Sequence, residues 1–302
     1  MALGKRRVPL LTRLWEGNTG PVLAVVLAIV VVWYVAAVLV NWRGTADAFE
    51  RAGEKRSAIE IARATLEQER PVLPAPHQIV VELRKTVVDT PITSRRSLVH
   101  HAWVTLSSTL VGFAMGALLG VVLAVLIVHV RTLERSLMPW IISSQTIPIL
   151  AIAPIVIVVL GSIGITGLIP KAIISAYLCF FPVTIGMVKG LTSPDVMQRD
   201  LMRTYSASAT QTFWKLRLPA SLPFLFAGLK VAIAISLVGA IVGELPTGAQ
   251  AGLGARLLAG SYYGQTIQIW AALFAAAFLA SILVSVVGIA EGRINRRMGM
   301  RS

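Results

Sequence analysis

The chain has one cysteine, Cys179, in 302 residues. A single thiol excludes an internal disulfide framework and a thiolate metal site. Charge is also scarce: Asp and Glu number 14, Lys and Arg 28, and charged residues make up 14% of the chain. A soluble domain carries roughly 25%. Apolar residues reach 56% and the mean hydropathy is +0.75, too much apolar surface for so few charges to keep in water. An ordinary soluble enzyme is excluded. There is no G-x-x-x-x-G-K-[ST] loop, so P-loop ATP hydrolysis is excluded, and neither an H-E-x-x-H nor a paired cysteine ligand set is present. No catalytic, cofactor-binding or metal-ligating residue is expected on this chain.

Long charge-free runs are what the sequence does have. A helix needs about 20 mainly apolar residues to cross the hydrocarbon core. Pro21–Val40 supplies one, and Ala102–Val128 a second. Ser136–Pro170 lacks charge throughout but carries Pro139, Pro148, Pro154 and Gly161, which places a span near Trp140–Leu160 with an irregular exit. Ala172–Val188, Ser221–Leu245 and Ile269–Ala290 complete six. Ala46-Asp47-Ala48 resembles a signal cleavage site, but the apolar run before it exceeds the usual 7–15 residues or so, so the first span reads as an uncleaved anchor.

Orientation follows from Lys and Arg near the spans. With six helices the amino end (Lys5, Arg6, Arg7, Arg13), the loops holding Arg131, Arg135, Lys189, Arg199, Arg203, Lys215 and Arg217, and the tail (Arg293, Arg296, Arg297, Arg301) share one side. With Lys230, that side holds 16 basic and 5 acidic residues, against 12 and 9 on the other. Both termini are therefore expected in the cytoplasm. The basic excess reflects orientation, since the charges are scattered over short loops rather than gathered into a nucleic-acid patch.

The expected organisation is a tail over 1–20, an anchor helix over 21–40 and an outer segment over 41–101. A five-helix core over 102–290 and a basic tail over 291–302 follow. Within the outer segment, Thr45–Arg70 is rich in Ala, Glu and Arg and reads as a surface helix, stopped by Pro71 and followed by the Leu73-Pro74-Ala75-Pro76 turn. It serves either as a solvated spacer or as a docking surface for an outer partner. Gly112, Gly116 and Gly120 fall on one face of the second span and admit a close helix neighbour.

Gln145, with Pro148 and Pro154 in the third span, marks either a translocation path or a kinked packing helix, because a side-chain amide at membrane depth needs protein or water beside it. Lys230 can snorkel from its span. Glu244, beside Pro246 and Gly248-Ala-Gln-Ala-Gly252-Leu-Gly254, is a gate element or an interfacial carboxylate. Cys179 reads as a small buried hydrophobe.

The most informative stretch is Pro194–Pro223, PDVMQRDLMRTYSASATQTFWKLRLPASLP. Leu201, Met202 and Tyr205 fall at helical spacing and form a small apolar face rimmed by Arg199, Asp200 and Arg203, suited to a partner groove or to the lipid interface. Asp200-Leu201-Met202, three residues, Ser206, nine residues, Leu216, one residue and Leu218-Pro219 resembles the signature loop of ATP-binding-cassette importer permeases. In that signature Glu-Ala-Ala, Gly, Ile and Leu-Pro stand at the same spacing. Ser replaces the signature glycine here. Gln145-Thr146-Ile147-Pro148, the Leu-Pro-x-Pro turn and Glu244 followed by Gly252-Leu253-Gly254 resemble the nitrate/sulfonate/taurine-type branch.

The resemblance implies an all-α type I importer-like permease bundle in a bacterial inner membrane, with an extra outer helical segment after the first span. It implies a second copy of the permease, cytoplasmic ATPase subunits that carry ATP and Mg, an outer solute-binding protein, a lipid setting and no nucleic acid. Asp200, Leu201, Met202, Tyr205, Ser206, Leu216, Leu218 and Pro219 become the expected ATPase-coupling residues, with Leu218-Pro219 ending the connector and starting the fifth span. The competing functions are an ion-gradient-driven carrier, which wants intramembrane acid or His pairs and an inverted repeat, and a membrane-embedded enzyme or assembly factor.

Overall fold

The computed structural model describes residues 19–246 and 251–299. Lys5, Arg6, Arg7, Arg13, the 247–250 part of the Gly-rich turn and Arg301 lie outside the described residues. Among the described residues every regular element is helical. They divide into two compact units, one formed by the described residues up to Lys85 with Gly260–Ala271, the other by Thr86–Ala259 with the described residues from Ala272 onward.

In the first unit α1 spans Thr19–Arg51, 33 residues. At 1.5 Å per residue this is about 50 Å, well beyond the roughly 30 Å hydrocarbon core; no proline follows the apolar run, and the helix passes through Gly44. The helix expected over Thr45–Arg70 is thereby split. Its first part is the end of α1, Gly53 turns the chain at φ 73, and α2 restarts at Ala58–Glu67. The restart is written in Ser57-x-x-Glu60, a reciprocal capping box. The Ser57 backbone N–H holds the Glu60 carboxyl below its ordinary range. α3 covers Pro76–Arg84.

One side chain ties α1 to the turn that precedes α3. Asn41 accepts from Val72 N at 2.7 Å and Leu73 N at 3.4 Å through Oδ1, and donates to Leu73 O at 2.8 Å. Trp33 Nε1 donates to Pro74 O at 3.0 Å. Thr266 donates to Pro71 O and the Trp270 ring lies 4.8 Å from Trp33, which is why a short piece of the expected five-helix core belongs to this unit.

The second unit is built around α4 (Leu98–His129), α7 (Leu168–Thr192) and α10 (Leu218–Glu244). Gly112, Gly116 and Gly120 face α7: a Cβ on Gly120 would stand 2.8 Å from Phe180 O, and one on Gly116 2.7 Å from Ala176 O. α10 approaches as closely, with Gly239 set against the Ser175 backbone. At that junction Ser175 Oγ donates to Ser236 O at 2.7 Å and Ser236 Oγ to Thr109 O at 3.0 Å. Backbones drawn this near gain dispersion contacts and short interhelical hydrogen bonds, which hold helices together where apolar burial cannot.

The single span expected near Trp140–Leu160 is two helices, α5 (Arg131–Ser144) and α6 (Ile149–Ser162), bent by 98°. Pro148 has no N–H to continue the ladder and pushes Ile147 out of the helical region. Together α5 and α6 form one broken span or a re-entrant pair. With it the helices long and apolar enough to cross a membrane number up to six among the described residues, and five without it.

α8 (Val196–Thr204) and α9 (Ala209–Thr212) follow α7. α10 starts at Leu218 with Pro219 in its first turn, as expected, but the connector does not end there: helix continues from α9 through a wide turn, Phe213–Arg217, in which Leu218 N reaches Phe213 O. α11 (Leu253–Tyr262) and α12 (Thr266–Arg297) complete the order. Lys230, expected to snorkel, is ion-paired with Glu291 of α12.

Candidate functional site

α10 separates two sites, one at each of its ends. The first is α8. Asp195 caps it by accepting from Val196 N at 2.7 Å, and Asp200 pairs with Arg203 at 3.3 Å. At its end Ser206 N donates to Arg203 O at 2.8 Å and Ala207 N to Met202 O at 2.9 Å. This pair of bonds is the Schellman closure, which needs a left-handed residue after the helix. Ser206 supplies it at φ 52, the one non-glycine with positive φ among the described residues.

The closure fixes what α8 presents. Leu201 is 56% exposed and Tyr205 79%; Met202 is half-buried. Val196 and Met197 enlarge the exposed apolar surface. Met197 lies one turn before Leu201 and could have been found by extending the same spacing back. Leu216, Leu218 and Pro219 are half-buried. Leu218 and Phe213 pack on the cluster of Ala124, Met187 and Leu191, so the base of this loop rests on α4 and α7.

The second site closes the other end of α10. Glu244 is fully buried. Its carboxylate accepts from Thr105 Oγ1 at 3.0 and 3.1 Å and from Gly254 N at 2.8 Å, with Lys171 Nζ at 4.0 Å. Leu253 N donates to Thr105 Oγ1 at 2.8 Å and Gly252 N to His101 Nδ1 at 2.9 Å. His101 Nε2 stands 2.9 Å from Arg95 O, which sets the neutral ring with its proton on Nε2. Three consecutive N–H groups that open α11 are thus taken by three side chains from α4 and α10. Helix N-termini leave such donors free and favour negative charge nearby. Gly252, at φ 127, is required twice over, since a Cβ there would strike the Glu244 carboxyl.

Gln145 and Pro148 sit in the bend between α5 and α6, both exposed. Gln145 Nε2 donates to Ser144 Oγ at 3.1 Å, and neither residue shares a hydrogen bond with the Glu244 clasp. Tyr177 OH donates to Ser144 O at 2.5 Å and anchors the end of α5 to α7. Cys179 is buried against Gly112 and Phe113 carbonyls. His101, Thr105 and Lys171 escaped the sequence reading because their partner lies more than 70 residues away along the chain. Among the described residues no group of His, Cys, Asp and Glu could hold a metal ion.

Residues 116–300 match the family described as the binding-protein-dependent transport system inner membrane component. The chain belongs to that family. It is an ABC importer permease. It is 33% identical over 183 residues to the formylaminopyrimidine transport permease protein ThiX of Halalkalibacterium halodurans, covering 61% of this chain and 68% of that one. It is 34% identical over 158 residues to the riboflavin transport system permease protein RibX of Chloroflexus aurantiacus, covering 51% and 56%. It is 28% identical over 144 residues to the nitrate import permease protein NrtB of Synechocystis, covering 47% and 50%. The family match takes in the permease from the middle of α4 onward, including α8 and the Glu244, Gly252 and Gly254 part of the clasp, while α1, α2, α3 and the His101 and Thr105 part of the clasp precede it. Proteins of this family are membrane subunits of ABC transporters and work with ATPase and binding-protein partners.

Proposed function

We propose that this permease forms the pore of an ATP-driven importer for a small solute handed over by an outer binding protein, and that α8 is where a separate cytoplasmic ATPase drives it. The observation that supports this reading is the Schellman closure at Ser206. The residue aligned with the signature glycine adopts φ 52, so the loop keeps the glycine's shape without the glycine. Met197, Leu201 and Tyr205 then project from a short, capped, rigid helix.

An ATPase groove that buried this face would gain roughly 25 cal/mol per Å² of apolar surface. Force on α8 would pass through Phe213 and Leu218 into α7 and α4. In this reading α8 and both termini face the cytoplasm, and six spans are made by counting the bent α5–α6 pair once. A second copy of the chain completes the pore. ATP and Mg act on the ATPase and no cofactor is held here. The Glu244 clasp lies at the outer end as a gate element, and the Gln145–Pro148 bend lines the path. The cargo is a small solute of the kind that the relatives' names describe, chosen mainly by the binding protein.

Tyr205→Asp is the test. In membranes holding the assembled transporter, the variant is expected to insert normally, to lose its ATPase and to lose vanadate-sensitive uptake. Uptake of formylaminopyrimidine, riboflavin and nitrate serves as the solute panel. Undiminished uptake with normal ATPase association would remove α8 from the coupling role, and uptake abolished by an uncoupler alone would favour a gradient-driven carrier.

A further inference from the structure

The segment between α1 and α3 is irregular backbone, yet its polar groups are provided for. Pro71, Pro74 and Pro76 have no N–H. Val72 N and Leu73 N go to Asn41 Oδ1, and Ala75 N goes to Gln78 Oε1 at 2.9 Å. Every donor from Pro71 to Pro76 is absent or engaged. Four acceptors are engaged as well: Pro71 O by Thr266, Leu73 O by Asn41, Pro74 O by Trp33 and Ala75 O by Gln78 N. Pro71, Pro74 and Ala75 are buried, so water does not reach this backbone and its groups need partners within the protein. A strap so provided for meets the condition for non-helical chain at membrane depth.

Depth can be read along α1. The apolar run Pro21–Val40 is 20 residues, about 30 Å of helix and the full thickness of the hydrocarbon core. Asn41 stands at its end and grips Val72 and Leu73. Trp33, about two turns back inside the run, grips Pro74, and Tyr34 OH lies 3.2 Å from His77 Nδ1. The strap therefore descends along α1 into the apolar zone before α3 begins. α3 turns Ile79 inward and leaves His77, Val80, Val81 and Arg84 exposed. These four fall at i, i+3, i+4 and i+7 and share one face. At the same depth α1 exposes Val32, Val35 and Leu39, so the two apolar surfaces are continuous.

We infer that the Pro71–Pro76 strap and α3 lie within the membrane interface, with the face of His77, Val80, Val81 and Arg84 against phospholipid. Val80 and Val81 meet acyl chains and Arg84 reaches up to the headgroups. The first span then enters the membrane as a hairpin-like anchor, wider than one helix.

The test uses full-length Val80→Cys, Val81→Cys and Ile59→Cys variants, the last on α2, where Ile59 is 82% exposed. Each is labelled with bimane in the assembled transporter and reconstituted into phosphatidylcholine–phosphatidylglycerol vesicles. Cys179 is fully buried, and the labelled parent chain serves as the blank. Nitroxide placed near the headgroup end of the acyl chain should quench labels at 80 and 81 at least about twofold more than at 59, with iodide giving the reverse order. Iodide quenching at 80 and 81 equal to that at 59 would place α3 in water and overturn the inference. Protection from both quenchers would mean that protein covers this face, and would overturn it equally.

Discussion

Glu244 Oε2 accepts a hydrogen bond from Gly254 N at 2.8 Å, so the carboxylate that ends α10 also caps the start of α11. A carboxylate buried at the end of its own helix is disfavoured by lost hydration and by that helix's dipole, and Lys171, the Thr105 hydroxyl and the Gly254 amide offset part of that cost. Removing one partner from a buried, hydrogen-bonded charge is costly because the rest are left unpaired.

Gly252→Ala should therefore damage the permease more than a glycine change elsewhere at positive φ. At Gly264, φ 63, a Cβ meets nothing within 4 Å and only backbone strain of about 1 kcal/mol is added. At Gly252 the Cβ displaces Glu244 as well. Thermal midpoints of the two purified variants should fall in that order. Equal midpoints would show that the carboxylate moves aside freely.

Ser206→Gly should stabilise. A non-glycine residue in the left-handed region costs about 1–2 kcal/mol, part of which is returned by the greater freedom of glycine in the unfolded chain. A raised thermal midpoint of the complex, with ATPase association kept, is expected. A lowered midpoint would mean that the serine hydroxyl contributes more than the strain removes.

Gly120→Ala should separate α4 from α7, since the added Cβ would lie 2.8 Å from the Phe180 carbonyl. Gly161→Ala in α6 meets nothing within 4 Å and should be neutral or stabilising by up to about 1 kcal/mol. Detergent stability of the two variants distinguishes a packing stripe from a neutral series of small residues.

Lys230→Glu and Glu291→Lys should each lower the amount of folded permease, and the double swap should restore it. The pair is partly exposed, so screening limits its worth to about 1 kcal/mol. Recovery in the double variant measures the pairing of α10 with α12. Its absence would assign both effects to the sites separately.

The apolar runs, the Gly112–Gly116–Gly120 stripe and the signature spacing were legible because each is a local pattern on one helix. The 98° bend was half visible: Gln145-Thr146-Ile147-Pro148 announced an interruption, but a sequence carries no angle. Leu218-Pro219 marked the start of α10, but the wide Phe213–Arg217 turn that joins it to α9 carries no sequence signal of its own. Asn41 and His101 bound the outer segment and carry no local signal of a role. Their roles depend on partners 31 and 151 residues away, which no periodicity encodes. The cut at Gly53 was readable in retrospect from Ser57-x-x-Glu60.

The most direct measurement is affinity purification of the tagged permease from its native membrane in mild detergent, with mass spectrometry of what accompanies it. The account predicts an ATP-binding-cassette ATPase at one copy per permease, released when Tyr205 is replaced by Asp. A permease that emerges alone, under conditions that preserve other transporters of this family, would contradict the coupling role of α8.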